Sequence, residues 1–348
     1  MPSQLWRRLD VALLQADPDA EAAVLMRLLV SQALDALPLP GAGHTLDRWR
    51  ALARVGQHDL SLAKLYEGHT DALAILAELH AARPSQPAAD AWANAGIWAV
   101  WAAESPEGRS SVDVGEDHLA SLEGSKCWCS GASDVDQALL TAWLPDGRGP
   151  QLVRLRVAQP GVVMRHAAWK ARGMDGARSP DIDFNGAEAH CVGEPSDYVN
   201  RPGFSQGGAG VAACWYGGAV AVARVLHKLA ADAAPNGYSP LRLAALGRVA
   251  QSLGACAAVL REAAGWIDEH PRSDASTVAL RARLSAETCA RQVLDEVSRA
   301  VGPAPFCRDA GFARFAVDLP IFIRQCQGDR DFASLGQREI ETQSPWAL

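Results

Sequence analysis

The C-terminal part of this 348-residue chain contains three long segments that are rich in alanine and nearly free of proline. They span residues 211–231, 241–269 and 275–301, and breaks at Ala234-Pro235-Asn236-Gly237 and at Pro271 separate them. Long neighbouring helices bury their apolar faces by packing side by side. The sequence therefore predicts a C-terminal domain over residues 203–348 that is an up-and-down helical bundle.

The first 95 residues also carry apolar residues at helical spacing. One such stretch runs from Leu60 to Leu76 and follows Asp59, a residue type that caps helix N-termini. The run Pro84-Ser85-Gln86-Pro87 then breaks the pattern and is typical of a linker. Residues 1–95 are therefore predicted to form an N-terminal helical domain.

Residues 96–202 show a different pattern, in which Gly, Pro and Asp separate short runs of alternating or β-branched residues. The runs span residues 137–143, 151–157, 162–166 and 182–184. Many short runs joined by turn residues indicate a central antiparallel β domain or a small barrel. The order helical, β, helical predicts an α+β fold with segregated blocks, because alternating βαβ units are missing.

The segment Gly208-Ala209-Gly210-Val211-Ala212-Ala213 fits the GxGxxA dinucleotide fingerprint. That fingerprint needs a buried strand before it, so that a pyrophosphate can lie on the following helix N-terminus. Residues 198–206 contain Pro202 and several polar residues and do not read as a strand. We therefore interpret the glycines as the closely packed start of a bundle helix.

Charge and cysteine content restrict the partners. The net charge is -7 and no long basic run exists, which argues against nucleic acid. The N-terminus lacks the apolar core of a signal peptide, and no stretch approaches the roughly 18 uninterrupted apolar residues of a bilayer span. The eight cysteines are scattered, which is typical of reduced thiols in a core. We expect a cytoplasmic protein with no membrane partner and no metal.

The segment Gly124-Ser125-Lys126-Cys127-Trp128-Cys129-Ser130 is more specific. If it is a strand that follows a turn, Trp128 and Ser130 lie on one face. An aromatic ring and a hydroxyl on one face can stack on a planar heterocycle and hydrogen-bond to it. The alternative is a buried tryptophan beside a solvent-facing serine.

Three elements, read in order, resemble the acyl-CoA dehydrogenase-like flavoproteins. Those enzymes carry a Gly-x-Lys-x-Trp-Ile-Ser/Thr segment, which Gly124 to Ser130 resembles. Upstream they have a Thr-Glu-Pro segment, similar to the run Trp101-Ala102-Ala103-Glu104-Ser105-Pro106. Downstream, the run Gly173 to Phe184 resembles their Gly-Met-x-Gly/Ser-Ser-x-Asp-x-x-Phe element. The resemblance covers most of the chain.

The resemblance implies an N-terminal helical domain, a central β domain and a C-terminal four-helix bundle. It also implies FAD between the β domain and the bundle, in a homodimer or homotetramer whose neighbouring subunit helps to hold it. Residues Trp128, Cys129 and Ser130 would flank the isoalloxazine ring, with the Ser130 hydroxyl near N5. Residues Trp101, Ala103 and Glu104 would approach the pyrimidine side. The family's Arg-x-x-Phe-Gly pyrophosphate signature is missing from residues 241–251, where only Arg242 and Arg248 offer cations.

The catalytic base of the family is also replaced. The usual glutamate aligns with Gln327, and a second family position falls near Gly207. An amide is not a base near neutral pH. Asp329 and Asp331 are close enough in sequence to substitute, or they pair with Arg324 and Arg330 at the surface.

Three functions therefore stay open. The first is α,β-oxidation of an acyl thioester, carried on CoA or a carrier protein, or of a similar small molecule. The second is a flavin-dependent monooxygenase or N-hydroxylase of the same fold, which needs no acidic base at the turn. The third is a non-catalytic paralogue that serves as a binding partner, so whether the chain is an enzyme stays open as well.

Overall fold

The computed structural model describes residues 2–17, 20–82, 96–232, 239–341 and 346. The expected linker at 84–87 and the expected break at 234–237 lie outside the described residues. The N-terminal helices are α1 (Pro2–Gln15), α2 (Ala22–Ser31), α3 (Thr45–His58) and α4 (Leu60–Ala82). Asp59 Oδ1 accepts a 2.6 Å hydrogen bond from the Leu62 N–H, so Asp59 caps α4 as the sequence predicts.

The central part is a single sheet. Its strands are β1 (Trp98–Trp101), β2 (Ser110–Val114), β3 (Leu119–Lys126), β4 (Gln137–Trp143), β5 (Pro150–Arg156), β6 (Val162–Arg165) and β7 (Asp181–Cys191). The order β4-β2-β3-β7-β5 closes on itself because β5 also pairs with β4, which makes a small barrel. β1 pairs with β4 in parallel, so the sheet is mixed. The parallel pairing is possible because the β2–β3 hairpin lies between β1 and β4 in the chain.

The C-terminal part is again helical. Its helices are α5 (Asp197–Asn200), α6 (Gly203–Gly208), α7 (Val211–Asp232), α8 (Pro240–Glu269), α9 (Ser276–Val301), α10 (Ala304–Arg308), α11 (Ala310–Phe322) and α12 (Asp329–Glu341). α7 packs against α8, α9 and α11 to form the bundle. Helices α5 and α6, not a strand, precede Gly210, which confirms that the dinucleotide fingerprint is accidental.

α7 is shared between the bundle and the N-terminal helices. It packs along α3 as well as along α9. A Cβ on Gly217 would lie 2.2 Å from the carbonyl oxygen of Ala53, so only glycine permits this approach of α7 to α3. The bundle and the N-terminal helices therefore share a continuous core.

Within the described part of the chain, two helical segments are long and apolar enough to cross a membrane, by length and composition alone. In Gly203–Asp232 the most apolar window is 72% buried, which is typical of a core helix of a soluble protein. In Pro240–Glu269 only 28% of that window is buried. α8 thus presents a largely apolar face that this single chain does not cover.

Candidate functional site

Residues 127–132, called here the Trp128 loop, leave the sheet instead of continuing β3. β3 ends at Lys126, and Trp128 has a φ of +58°, a left-handed conformation that is rare for a bulky residue. Its backbone N–H donates to Asp181 Oδ1 over 3.1 Å. The expectation that a strand places Trp128 and Ser130 on one face is therefore wrong, because the left-handed residue breaks the strand's alternation.

The segment just before β7 holds the Trp128 loop. The N–H of Cys129 donates to the Pro180 carbonyl over 2.9 Å, and the N–H of Gly131 donates to the Ala177 carbonyl over 2.7 Å. Cys129 is fully buried, whereas Trp128 remains 51% exposed. Strained backbone is concentrated at ligand sites. Trp128 is thus the side chain of this loop that is available to stack on a ligand.

Ser130 joins the three sequence elements of the resemblance. Its hydroxyl accepts a 3.0 Å hydrogen bond from the Ser179 hydroxyl, and its carbonyl accepts one of 3.0 Å from Trp101 Nε1. Trp101 is buried at the end of β1, so its indole supports Ser130 instead of facing solvent. Residues that are far apart in sequence therefore meet at the half-buried Ser130.

The downstream element is fixed against α11. The N–H of Met174 donates to Asp318 Oδ1 over 2.6 Å. A Cβ on Gly173 would lie 2.1 Å from the carbonyl oxygen of Val317, so this position requires glycine. Gly173 and the backbone N–H of Met174 therefore dock the β domain on the bundle.

Glu104 is the centre of a charged network beside exposed Ala103. Its carboxylate accepts hydrogen bonds from Lys126 Nζ (2.8 Å), Thr141 Oγ1 (2.9 Å) and Trp143 Nε1 (3.0 Å). Partial burial alone would raise the pKa of Glu104, but the hydrogen bonds from Lys126 and Trp143 outweigh it and lower that pKa. Glu104 is therefore a carboxylate near neutral pH, held in a fixed position.

A row of charged side chains lies on α4, on the face that packs toward α6. It begins at Lys64, which lines a cavity of about 10 Å³ together with Ser130. Lys64 Nζ donates to Glu67 Oε2 over 3.0 Å. Further along, a Cβ on Gly207 would lie 2.7 Å from Asp71 Oδ1. The row thus leads from the Trp128 loop to the second position of the family base.

Asp71 is the member of this row with a perturbed pKa. Burial raises the pKa of its carboxyl, nearby Arg201 offsets part of that shift, and Glu67 adds to it. Sequence analysis did not select Asp71. The available signal was the spacing of Lys64, Glu67 and Asp71, which places all three on one face of the helix.

The C-terminal turn holds no exposed acid in place of the family glutamate. Gln327 is exposed, and its side-chain oxygen accepts a 3.1 Å hydrogen bond from Arg330. Asp331 Oδ2 accepts from the Gln327 N–H (2.8 Å) and from the Cys326 thiol (3.2 Å), so it caps the turn. Asp329 is exposed at the first residue of α12. Among the described residues, Arg324 donates to the Pro320 carbonyl and Arg330 to Gln327, so neither forms the expected ion pair with these aspartates.

Arg283 hydrogen-bonds to both segments that the resemblance aligns with the family base, the one next to Gly207 and the one next to Gln327. Its guanidinium donates to the Gly208 carbonyl over 3.1 Å and to the Gln325 carbonyl over 2.7 Å. It also lies over the Trp215 ring, 5.3 Å from the centroid. The position of these two segments is therefore set by one cation from α9.

The two arginines considered for a cofactor pyrophosphate differ in their availability. Arg248 forms a 2.9 Å salt bridge with Glu296. Arg242 is partly exposed near the start of α8. Of the two, Arg248 is therefore already engaged by a carboxylate.

Comparison of the fold with solved structures gives many matches along the full chain. KijD3, solved with FMN and a dTDP-linked sugar, has a TM-score of 0.82 at 16% identity and covers 99% of this chain and 95% of that chain. Methanesulfinate monooxygenase MsuC from Pseudomonas fluorescens has a TM-score of 0.78 at 16% identity, covering 99% and 97%.

Butyryl-CoA dehydrogenase from Megasphaera elsdenii has a TM-score of 0.74 at 15% identity, covering 91% and 88%. No protein-family model matches the sequence, and no curated protein matches it significantly. At these low identities the similarity establishes the fold. The chain therefore has the acyl-CoA dehydrogenase-like fold, which confirms the α+β architecture and the resemblance that the three sequence elements indicate.

Proposed function

We propose that this chain is a flavin-dependent oxidoreductase that uses oxygen on a small polar molecule, as a monooxygenase. The observation that carries this choice is that the sequence has Gln327 and Gly207, not acids, where the resemblance aligns the two family positions for the base. Removal of an α-proton from an acyl thioester needs a base at one of them. Oxygen chemistry does not need a carboxylate there.

The residues around Ser130 fit a planar heterocycle. A bound flavin would supply the two-electron chemistry, while the protein binds and orients it. Trp128 offers a half-exposed indole for stacking, and Ser130 offers a hydroxyl at the ring edge. Ala103 and Glu104, which the resemblance assigns to the pyrimidine side of the flavin, are both exposed. The buried Trp101 and Cys129 support the loop instead.

We further propose FMN as the flavin. FAD, which the resemblance implies, carries a second phosphate, and the Arg-x-x-Phe-Gly signature for it is missing. The salt bridge between Arg248 and Glu296 removes one possible substitute. FMN is also the flavin bound in the solved structures of KijD3 and of TdsC from Paenibacillus.

A second candidate is the α,β-oxidation of an acyl thioester with a relocated base. The specific observation in its favour is Asp71, whose carboxylate lies beside Gly207 and whose raised pKa suits a proton acceptor. Against it, the charges of Lys64 and Glu67 make this side of the site polar, which favours a polar substrate over an apolar acyl chain.

Purified protein reconstituted with FMN or FAD tests these alternatives. We expect a bound-flavin absorbance spectrum with FMN, no bleaching by a panel of acyl-CoAs without oxygen, and rapid oxygen-dependent reoxidation after chemical reduction. Anaerobic bleaching by an acyl-CoA that is lost in Asp71→Asn would favour the second candidate. Failure to bind either flavin would overturn both and favour a non-catalytic partner protein.

We also propose a homodimer or homotetramer assembled through the bundle. α8 is 30 residues long, and most of its apolar surface is uncovered in the single chain. Gly247, Gly254 and Gly265 lie on this exposed face with no atom near their Cβ positions, so a second helix can approach closely. A second copy of the chain is the simplest cover for this face.

A further inference from the structure

Cys256 on α8 and Cys289 on α9 face each other inside the bundle. Each is only 3% exposed, and each thiol lies close enough to the other to shift its pKa. All eight cysteines of the chain are free thiols. The other close pair, Cys127 and Cys129, has a different geometry, because the Cys129 thiol contacts backbone carbonyl oxygens.

A cavity of about 530 Å³ opens beside this pair, between α8, α9 and α12. Cys256 and Cys289 both line it, together with Ser252, Trp266 and Phe332. A small solute can therefore reach two sulfurs that are otherwise shielded. This access distinguishes the pair from Cys214, which is fully buried between α7 and α3.

The two thiols are not equivalent. The hydrogen bond from Cys256 lowers the pKa of Cys289, burial opposes this shift, and the Ser252 hydroxyl supports it. The same thiol contact, together with burial, raises the pKa of Cys256. Because the Ser252 hydroxyl hydrogen-bonds Cys289, we assign the attacking thiolate, the reactive form of cysteine, to Cys289.

We propose that Cys256 and Cys289 form an oxidation site, at which hydrogen peroxide that enters the cavity converts the dithiol into a disulfide linking α8 to α9. The Cys289 sulfur attacks a peroxide oxygen, the O–O bond breaks, and Cys289 becomes a sulfenic acid as the first water leaves with the thiol proton. The Cys256 sulfur then attacks the Cys289 sulfur. The S–O bond breaks, and the second water leaves with the Cys256 proton.

In this sequence both sulfurs are oxidised and the peroxide is reduced to water, so no further co-reactant is needed. The disulfide joins two long helices that meet in the bundle, across the wall of the cavity. We expect the oxidised bundle to unfold at a higher temperature than the reduced one, because the cross-link restricts the unfolded chain. The proposal does not depend on flavin binding.

The test is peptide mapping of the reduced protein after graded treatment with hydrogen peroxide and alkylation of the remaining thiols. We expect a linked Cys256–Cys289 peptide, lighter by about 2 Da than the sum of its parts, at peroxide levels that leave Cys214 unmodified. In Cys256→Ser, Cys289 should instead be trapped by dimedone as a sulfenic acid. Cys307→Ser, which alters the exposed cysteine, is the matched control and should form the link normally.

Absence of the linked peptide at peroxide levels that fully oxidise Cys307 would overturn the proposal. So would a link that forms no faster than Cys214 is oxidised. Both results come from the unmutated chain, so they hold even where Cys256→Ser does not fold.

Discussion

Replacement of Lys126 by methionine tests whether the charged network under the candidate site is a unit. Lys126 is 1% exposed, and its ammonium donates to Glu104 Oε1 (2.8 Å), to the Thr141 carbonyl (3.0 Å) and to Thr141 Oγ1 (3.0 Å). All three ammonium protons are therefore used. Methionine has a similar length but no donor.

The expected loss of unfolding free energy depends on the Glu104 carboxylate, which Lys126→Met leaves without its partner. Removing one partner of a buried ion pair typically costs about 3–5 kcal/mol of unfolding free energy. The Glu104 side chain is 46% exposed, so water can replace part of its lost partner and we expect about 2–3 kcal/mol. Glu104→Gln keeps an oxygen for Lys126 but leaves its buried ammonium without a counter-charge, so it should cost at least as much, about 2–4 kcal/mol. The double variant should cost less than the sum, because the residues act together.

Urea unfolding, followed by circular dichroism and by tryptophan fluorescence, measures these differences. Because the pKa of Glu104 is lowered in the folded state, its contribution exists above its unfolded pKa of about 4.3 and is lost as pH falls through the folded value. The gap between the parent and Glu104→Gln should therefore close in acid. Arg148→Met, which removes an exposed partner of Asp146, is the control and should have no measurable effect. Additive effects of Lys126→Met and Glu104→Gln would refute the idea of one network.

The remaining predictions concern the Trp128 loop, α4 and α8. Trp128→Gly should keep or raise the unfolding free energy, by up to about 1–2 kcal/mol of relieved left-handed strain, yet weaken FMN binding. Equal FMN affinity of parent and variant in a fluorescence titration would exclude stacking, and Trp346→Ala is the exposed control. Ser130→Ala should shift the flavin potential while costing about 0.5–1.5 kcal/mol through the lost Ser179 bond; an unchanged potential would place the flavin elsewhere. As pH rises from about 4, Asp71→Asn should become more stable relative to the parent, because the raised pKa of Asp71 makes its ionisation cost the folded parent stability. Unfolding free energies of parent and variant that change with pH in parallel would contradict this. Gly254→Glu should dissociate the oligomer in sedimentation without unfolding the chain, since nothing lies near its Cβ; a parent that sediments as a monomer would refute the interface.

The bounds of the long helices and of one strand could be predicted closely because proline, glycine and other turn residues flank them. The predicted segment 241–269 corresponds to α8 (Pro240–Glu269), which ends before Pro271. The predicted run 137–143 coincides with β4, which is flanked by Asp136 and a Pro-Asp-Gly turn. In these places hydrophobic period and turn residues agree, and local sequence is sufficient.

β7 shows why other boundaries were missed. The sequence indicated a strand over 182–184 only, whereas β7 extends from Asp181 to Cys191. Asn185-Gly186 reads as a turn, but Gly186, with a φ of +67°, is the extra residue of a β-bulge opposite Leu122 and Glu123. The strand continues because β3 pairs with it on both sides of the bulge, and such pairing is not visible in a local pattern.

At the candidate site, sequence analysis identified residues but not their geometry. Trp128 and Ser130 were selected as members of a strand, and they lie instead on a loop whose conformation depends on hydrogen bonds to residues 177–181. A period-2 pattern cannot reveal a contact with a segment about fifty residues away in sequence.

The charged row on α4 was missed for a related reason. A carboxylate on a helix is usually solvated, so Asp71 carries no signal by itself. Its meaning comes from Gly207, whose missing side chain leaves room for the Asp71 carboxylate at a position where the family holds a base. The missing acid at Gly207 and the acid at Asp71 on the neighbouring helix therefore belong together. Whether Asp71 takes a proton or binds a polar group, a side chain added at Gly207 must displace the Asp71 carboxylate, because its Cβ would lie 2.7 Å from Asp71 Oδ1.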